Sequence, residues 1–126
     1  MNKKIALGIV IYKQQILIVR RKEKEGKLLW QFPGGEVLDN ETGEQAVIRE
    51  LREETGLSCK TIKLLGERMH PYTKREMSYW ACEYCHGIIE ISDEDLDRAI
   101  WIPINKLDDY FTTDIYEPVK TYIKSY

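Results

Sequence analysis

Residues 35–57 read GEVLDNETGEQAVIRELREETGL, and this stretch decides how the chain folds. Thr42 is a residue type that caps helix N-termini, and Gln45 follows it at the spacing of a capping box. A helical pattern continues to Thr55, and Gly56 stands where a left-handed glycine ends a helix. The stretch therefore predicts a helix that is capped at Thr42 and ends at Thr55.

This predicted helix has one apolar face. At about 100° per residue, four of its side chains project in a common direction. They are Val47, Ile48, Leu51 and Thr55. Because an amphipathic helix in a small domain buries its apolar stripe, we expect this face to pack against a sheet.

Three glutamates, Glu50, Glu53 and Glu54, follow the spacing i, i+3 and i+4, so they should project together from a face distinct from the apolar one. Like charges at these spacings oppose helix formation by roughly 0.2–0.5 kcal/mol per pair, and they lie near the unfavourable end of the helix dipole. A hard divalent cation would reverse that repulsion. The alternative is a solvated acidic surface that Arg49 and Arg52 balance, and the spacing alone favours it.

The rest of the chain alternates strand-like runs with turns. Ile5–Tyr12 and Gln15–Arg21 read as two strands, which a Lys13-Gln14 turn could join as a hairpin, and Pro33-Gly34-Gly35 reads as a break. Further strands are predicted at Thr61–Met69, Met77–Cys85 and Ala99–Ile102, and Ile88–Ile91 either continues the second of these or forms a short strand of its own. Trp30–Phe32 is predicted to be extended, Lys22–Lys27 to be a charged loop and residues 71–74 to be a turn. Short helices are predicted at Asn105–Tyr110 and Tyr116–Lys124. Several strands around one amphipathic helix predict an α/β or α+β sandwich.

Composition limits the kinds of protein that this chain can be. Its 126 residues fit one compact domain, and 43% hydrophobic with 32% charged residues support a packed core. A net charge of -2 argues against bulk nucleic-acid binding. Lys3 and Lys4 precede the apolar run Ile5–Tyr12, but no small-residue cleavage site follows, and no stretch is long enough to span a bilayer. We therefore expect a cytoplasmic protein without a membrane partner.

The three cysteines form no secreted disulfide framework, because their number is odd. Cys82-Glu83-Tyr84-Cys85-His86 matches the C-x-x-C-H pattern of c-type haem attachment, which makes an electron-transfer protein a rival hypothesis. Strand alternation places Cys82 and Cys85 on opposite faces, however, and Cys59 stands alone. We therefore expect neither haem nor zinc.

Residues 35–57 also fit a longer motif, G-x5-E-x7-R-E-U-x-E-E-x-G-U, in which U is a bulky aliphatic residue. All nine specified positions are filled over twenty-three residues, and Phe32-Pro33-Gly34 leads into them. The chain here resembles the Nudix hydrolase family and its signature box. The resemblance implies an α/β fold, a Nudix-type α/β/α sandwich with a mixed β-sheet, with residues 1–126 as a single domain. It also implies hydrolysis of a nucleoside diphosphate linked to another moiety, with Mg²⁺ or Mn²⁺.

The resemblance implies a metal site. Its ligands would be Glu50, Glu53, Glu54 and the carbonyl oxygen of Gly34. Family members often place another metal-site acid before a late strand, and the acidic loop here offers Glu94 or Asp95, although a plain solvated loop is an equal alternative. Bound cations neutralise the oxygens of a diphosphate, lower the pKa of a bound water and align it for in-line attack.

The resemblance also implies roles for the neighbours of these ligands. Arg49 would pair with Glu41 or with a neighbouring glutamate and orient it. The general base would be Glu53, Glu50 or a glutamate outside the box, so the candidate catalytic residues are Arg49, Glu50 and Glu53. The residues that would shape the motif are Gly35, Glu41 and Gly56.

Four further residues are candidates for substrate binding. They are Arg20, Arg21, Phe32 and Tyr116. Arg20 and Arg21 end the second predicted strand on opposite faces, so at most one of them would face a pocket and bind a phosphate. An aromatic ring could stack on a base, although aromatic side chains more often belong to a core. The segment 108–119 resembles the C-terminus of the MutT-type branch of the family, but Tyr116 is not the amide expected where that branch reads a purine.

The favoured function is Mg²⁺-dependent hydrolysis of a nucleoside triphosphate, including oxidised dNTPs, to a nucleoside monophosphate and pyrophosphate. The alternative substrates are nucleotide sugars, dinucleoside polyphosphates and RNA 5′ ends, and a non-catalytic nucleotide-binding module is a further alternative. The segment around His70 resembles the corresponding segment of bacterial members of the family, and His70 would either contact a phosphate or lie at a strand end or in a turn.

Overall fold

The computed structural model describes residues 4–22, 28–71 and 73–126. Residues 23–27 of the predicted charged loop, and Tyr72 of the predicted turn, lie outside the described residues. The elements in chain order are β1 (Ile5–Tyr12), β2 (Gln15–Lys22), β3 (Leu28–Gln31), β4 (Gly34–Glu36), α1 (Gly43–Thr55), β5 (Ser58–Met69), β6 (Glu76–His86), β7 (Leu96–Pro103), a 3₁₀ turn (Ile104–Lys106), α2 (Leu107–Tyr110) and α3 (Glu117–Lys124).

The strands form a mixed sheet whose central strand is β1. β1 runs parallel to β6 along one edge, and its other edge is shared between β4 at Ile5–Leu7 and β2 at Ile11 and Tyr12. β2 continues antiparallel to both β3 and β7, and β5 pairs antiparallel with β6. The predicted hairpin is confirmed, because Lys13 and Gln14 both adopt positive φ and turn β1 into β2.

The prediction for α1 is confirmed at both ends. The Thr42 hydroxyl accepts a hydrogen bond from the Gln45 backbone N–H at 3.1 Å, and the Gln45 side chain accepts one from the Thr42 N–H at 3.0 Å. Gly56 has φ 79° and donates its N–H to the Arg52 carbonyl at 2.9 Å. An N-cap of this kind is worth about 1 kcal/mol of helix stability, and the left-handed C-cap favours glycine.

Helices cover both faces of the sheet, which confirms the α/β/α sandwich. On one face, Val47 and Leu51 of α1 pack against β1, where a Cβ at Gly8 would come within 3.1 Å of Val47 Cγ2. On the other face, α2 and α3 close a second core. Its buried members are Ile9, Ile16, Ile18, Phe32, Tyr79, Ile102, Leu107, Val119 and Ile123. Burial of one such aliphatic side chain contributes roughly 1.5–3 kcal/mol.

Several sequence predictions were wrong in detail. Gly34 and Gly35 do not simply break the chain, because backbone pairing of Gly34–Glu36 with Ile5–Leu7 makes them a short strand. Ile88–Ile91 forms no strand, and both β5 and β7 begin three residues earlier than predicted. Within the described residues, no helix has the length and apolar character needed to cross a membrane.

Candidate active site

A cavity of about 590 Å³ opens between α1, the end of β4 and the turn that joins β5 to β6. Its volume lies within the range of roughly 300–1,000 Å³ that small-molecule sites occupy. The acids in its lining are Glu36, Glu50, Glu54, Asp93 and Asp95, the basic groups are Arg21, His70 and Arg75, and the apolar side chains are Ile5, Leu7, Phe32, Leu38 and Met77. The lining of the cavity thus combines acidic, basic and apolar side chains.

Glu54 places its carboxylate inside the protein at this cavity. Its side chain is 1% exposed, and it lies on the buried face of α1, so the predicted separation of the acidic and apolar faces was wrong for this residue. Oε1 accepts the Gly34 backbone N–H at 2.8 Å, and Oε2 pairs with Arg21. Burial raises the pKa of Glu54 to about 7, although the charge of Arg21 opposes that rise.

Two glycines bring the β4 backbone against these acids. A Cβ at Gly34, where φ is 150°, would lie 2.1 Å from the Ala6 carbonyl oxygen. A Cβ at Gly35 would lie 2.6 Å from Glu50 Cδ. The Gly34 carbonyl also accepts a long hydrogen bond from Arg21 Nη2 at 3.5 Å. Any side chain at either position would displace backbone or the Glu50 carboxylate.

Arg49 holds the loop before α1 onto the helix and orients Glu50. Its guanidinium donates to both Glu41 oxygens at 2.7 and 2.9 Å, to the Glu36 carbonyl at 2.9 Å and to Glu50 Oε1 at 2.8 Å. The hydrogen bond from Arg49 lowers the pKa of Glu41 to about 2. Burial raises the pKa of Glu50, and Arg49 opposes that rise. The family resemblance implies a pairing of Arg49 with Glu41 or with a neighbouring glutamate, and here Arg49 pairs with Glu41 and also with Glu50 and Glu53.

Glu53 lies apart from the other two glutamates. Its side chain is 58% exposed, pairs with Arg49 at 3.0 Å and does not line the cavity, whereas Glu50 and Glu54 do. In residues 4–22, 28–71 and 73–126, no three His, Cys, Asp or Glu side chains converge as a ready metal-binding group. The metal role of Glu53 therefore stays a prediction.

The segment after β6 carries acids into the cavity. Glu90 N–H donates to the Thr55 carbonyl at 2.8 Å, and Ser92 Oγ donates to the Glu53 carbonyl at 3.1 Å, so the segment is tied to the end of α1. Asp93 and Asp95 line the cavity, whereas Glu94 does not. Sequence reasoning named Glu94 or Asp95 and missed Asp93, because loop conformation alone decides which acid of the run points inward.

Two of the four candidate substrate-binding residues line the cavity, and the other two do not. Arg21 and Phe32 line the cavity. Arg20 lies on the opposite face of β2, where its Nε donates to Asp97 Oδ1 at 2.9 Å. Tyr116 also lies outside the cavity lining, and its hydroxyl donates to the Glu67 carbonyl at 2.9 Å. As the strand alternation predicted, only one of the two arginines faces the pocket.

Sequence reasoning missed Glu36 and Arg75, which both line the cavity and form an ion pair with 3.5 Å between Oε1 and Nη1. Neither belongs to a local pattern that marks it as functional.

The predicted alternation of the cysteines is confirmed, because Cys82 is buried and Cys85 exposed on β6. Burial raises the pKa of Cys82 to about 12, which keeps it a thiol at neutral pH.

Comparison with known proteins agrees with this geometry. A family model of the NUDIX domain matches residues 2–122. The 8-oxo-dGTP diphosphatase of Proteus vulgaris is 35% identical over 83 residues, which cover 62% of this chain and 74% of that protein. The RNA pyrophosphohydrolase of Pasteurella multocida (strain Pm70) is 42% identical over 87 residues, or 64% of this chain. The matched part spans only 42% of that relative's own length.

Among solved structures, a NUDIX hydrolase from Nitrosomonas europaea has a TM-score of 0.84 at 18% identity, covering 99% of this chain and 72% of the other. At that identity the likeness shows a common fold. The NUDIX domain model matches nearly the whole chain, and this match assigns the family as well as the fold. This chain belongs to the Nudix hydrolase family.

Proposed function

We propose that this chain is a nucleotide pyrophosphohydrolase that uses Mg²⁺ or Mn²⁺ to cleave a phosphoanhydride bond of a nucleoside triphosphate, releasing a nucleoside monophosphate and pyrophosphate. The observation that carries the proposal is the burial of the Glu54 carboxylate beside Glu50 in a cavity large enough for a nucleotide. A carboxylate removed from water is costly, and groups with shifted pKa values concentrate at functional sites.

The donor atoms at this cavity fit a hard divalent cation. Glu50, Glu54 and the Gly34 carbonyl offer oxygen atoms, and Gly35 has no side chain that would fill the space beside Glu50. The raised pKa of Glu54 also supports a cation there, because a positive charge would favour the ionised carboxylate. A cation bound by these residues would supply charge neutralisation and an activated water. Asp93 is proposed as a further ligand, and Glu53 as a weaker one, because its side chain is 58% exposed and lies outside the cavity lining.

The protein's own groups would share the remaining work. We assign Glu50 as the general base, because Arg49 orients its carboxylate and burial raises its pKa towards the working range. Arg21 would balance negative charge on the substrate's phosphates. Phe32 and Met77, two of the apolar side chains that line the cavity, would seat the base and exclude water from its faces.

Two substrates are favoured by the relatives. The diphosphatase of Proteus vulgaris supports a nucleoside triphosphate, and we take dNTPs including 8-oxo-dGTP as the first choice. The RNA pyrophosphohydrolase of Pasteurella multocida supports a triphosphorylated RNA 5′ end as the second. A cavity of about 590 Å³ suits a single nucleotide in either case. Additional nucleotides of an RNA would have to lie outside it.

The test is a substrate panel with Mg²⁺ in which every product is identified by chromatography. The panel contains the common NTPs and dNTPs, 8-oxo-dGTP, ADP-ribose and a 5′-triphosphorylated RNA. We expect a nucleoside monophosphate and pyrophosphate from at least one nucleotide. Release of orthophosphate alone would contradict the product assignment, and an inactive wild-type protein across the panel would refute the enzymatic proposal.

Variants tie any activity to the cavity. Glu54→Gln and Glu50→Gln should each lower turnover at least about a hundredfold with the fold retained, because each removes a charged oxygen donor. Glu44→Gln is the matched control, since Glu44 lies in the first turn of the same helix, outside the cavity lining. Near-wild-type rates for both cavity variants would refute the site.

A further inference from the structure

The turn between β5 and β6 forms one wall of the cavity. Of its described residues, His70, Thr73 and Arg75 line the cavity. Two backbone hydrogen bonds close the turn: His70 N–H donates to the Arg75 carbonyl at 2.8 Å, and Lys74 N–H donates to the His70 carbonyl at 3.0 Å. The turn is therefore compact, and it begins and ends on residues that face the same space.

The His70 ring adds a side-chain brace inside the turn. Its Nδ1 accepts the Thr73 backbone N–H at 3.2 Å, and Thr73 Oγ1 accepts the Arg75 backbone N–H at 3.3 Å. These two bonds connect the imidazole to Arg75 through Thr73. Nδ1 can accept only when it carries no proton, and both burial and the nearby Arg68 guanidinium lower the pKa of His70.

Arg75 is the cation that this brace places at the cavity. Its Nη1 lies 3.5 Å from Glu36 Oε1, and the two side chains are 40% and 41% exposed. An ion pair that long and that exposed holds its partners weakly, so an incoming anion can compete for the guanidinium. Glu50 and Glu54 line the same cavity, so Arg75 and Arg21 are positive groups among several carboxylates.

We propose that His70 is a positioning residue for substrate binding, which through Thr73 holds Arg75 where it binds the anionic phosphate groups of the nucleotide. The proposal rests on the proposed function, but it concerns binding rather than the chemical step. The imidazole acts as a fixed acceptor at Nδ1 and needs no contact with the substrate.

Amide substitutions separate this role from a direct one. An asparagine places its side-chain oxygen near the position of Nδ1, whereas a glutamine reaches towards the position of Nε2. We expect His70→Asn to keep KM within about twofold of the wild-type value, and His70→Gln and His70→Ala to raise KM about fivefold, with kcat unchanged throughout. Rescue by glutamine but not by asparagine would overturn the proposal in favour of direct contact with substrate.

A double-mutant cycle tests the link to Arg75. Arg75→Gln should itself raise KM, and His70→Ala should add little in that background because both changes remove the same interaction. Multiplicative effects on KM would overturn the proposal. Hydrogen exchange of the Thr73 amide measures the His70–Thr73 hydrogen bond independently of catalysis. Exchange should be slow in wild type and in His70→Asn, and faster in His70→Gln and His70→Ala. Equal exchange in all four proteins would also overturn it.

The same design keeps the two proposals apart. If the wild-type protein hydrolyses none of the nucleotides, the proposed function fails, and the dissociation constant for GTP with Mg²⁺ replaces KM in the comparison of the variants. A pattern in which only asparagine preserves GTP affinity would then support the role of His70. A wild-type protein that binds neither GTP nor 8-oxo-dGTP would overturn both proposals.

Discussion

Glu53 and Glu54 are neighbours with the same side chain, yet the fold gives them opposite environments. Glu54 is 1% exposed and bonds to the Gly34 N–H and to Arg21. Glu53 is 58% exposed and forms an ion pair with Arg49. One step along a helix rotates a side chain by about 100°, which here separates the protein interior from water. A shared motif therefore does not imply a shared energetic role.

The largest expected effect of this contrast is on catalysis. Glu54→Gln should lower kcat at least about a hundredfold, whereas Glu53→Gln should lower it about tenfold or less, because only Glu54 faces the cavity in this structure. Steady-state kinetics with Mg²⁺ on the best substrate of the panel makes the measurement. Equal losses of kcat in the two variants would show that the Glu53 side chain rotates towards the cavity when metal binds. The two glutamates would then not differ in their catalytic role.

The next effect is on stability in the absence of metal. The folded-state pKa of Glu54 is about 7, above its ordinary 4.5, so the folded chain keeps a proton that the unfolded chain has lost. The free energy of unfolding should therefore fall as pH rises from 5 to 8, by about 2–3 kcal/mol from this group. Urea denaturation in EDTA at both pH values measures it.

Glu54→Gln is the control for that experiment, and it should lose most of this pH dependence. Added Mg²⁺ at pH 8 should stabilise the wild-type protein more than Glu54→Gln, because a cation that binds only the folded state raises its stability. If the free energy of unfolding of the wild-type protein in EDTA did not change from pH 5 to 8, burial would not raise the pKa of Glu54.

A smaller effect is expected from the backbone side of the site. Gly35→Ala would place a Cβ 2.6 Å from Glu50 Cδ, so the carboxylate must move and kcat should fall about tenfold. Gly43→Ala is the matched control, since its Cβ would meet the Ser78 hydroxyl at 3.1 Å, away from the cavity. Unchanged kinetics in Gly35→Ala would show that the position of Glu50 is not critical.

The smallest effect concerns the loop that Arg49 holds. Glu41→Gln should destabilise the fold by about 1 kcal/mol at neutral pH, because it weakens two hydrogen bonds to a charged partner. The pKa of Glu41 is depressed to about 2, so this contribution is complete above pH 4.5 and disappears as pH falls towards 2. The denaturation curves of wild type and variant should differ at pH 7 and converge at pH 2.5. Glu83→Gln is the control, because Glu83 forms an exposed ion pair with Lys60, and it should leave the free energy of unfolding unchanged at both pH values.

Local patterns predicted much of the molecule. The capping box, the left-handed Gly56 and the hairpin turn depend on residues within a few positions of each other, and all three are present. Element ends were predicted less well, since β5 and β7 gain residues by pairing with strands far away in the chain. Asp93 and Arg75 could not be found, because a loop path and a turn bring them to the cavity.

The amino-acid sequence by itself determined the helix, the glutamates that it carries and the family, because these follow from the identity and spacing of adjacent residues. Only the tertiary structure decided that Glu54 is buried against Gly34 and Arg21 while Glu53 is exposed. It also decided which arginine and which loop acid face the cavity. The physical reason is that solvation and charge depend on what packs against a side chain, and those neighbours lie up to dozens of residues away in sequence.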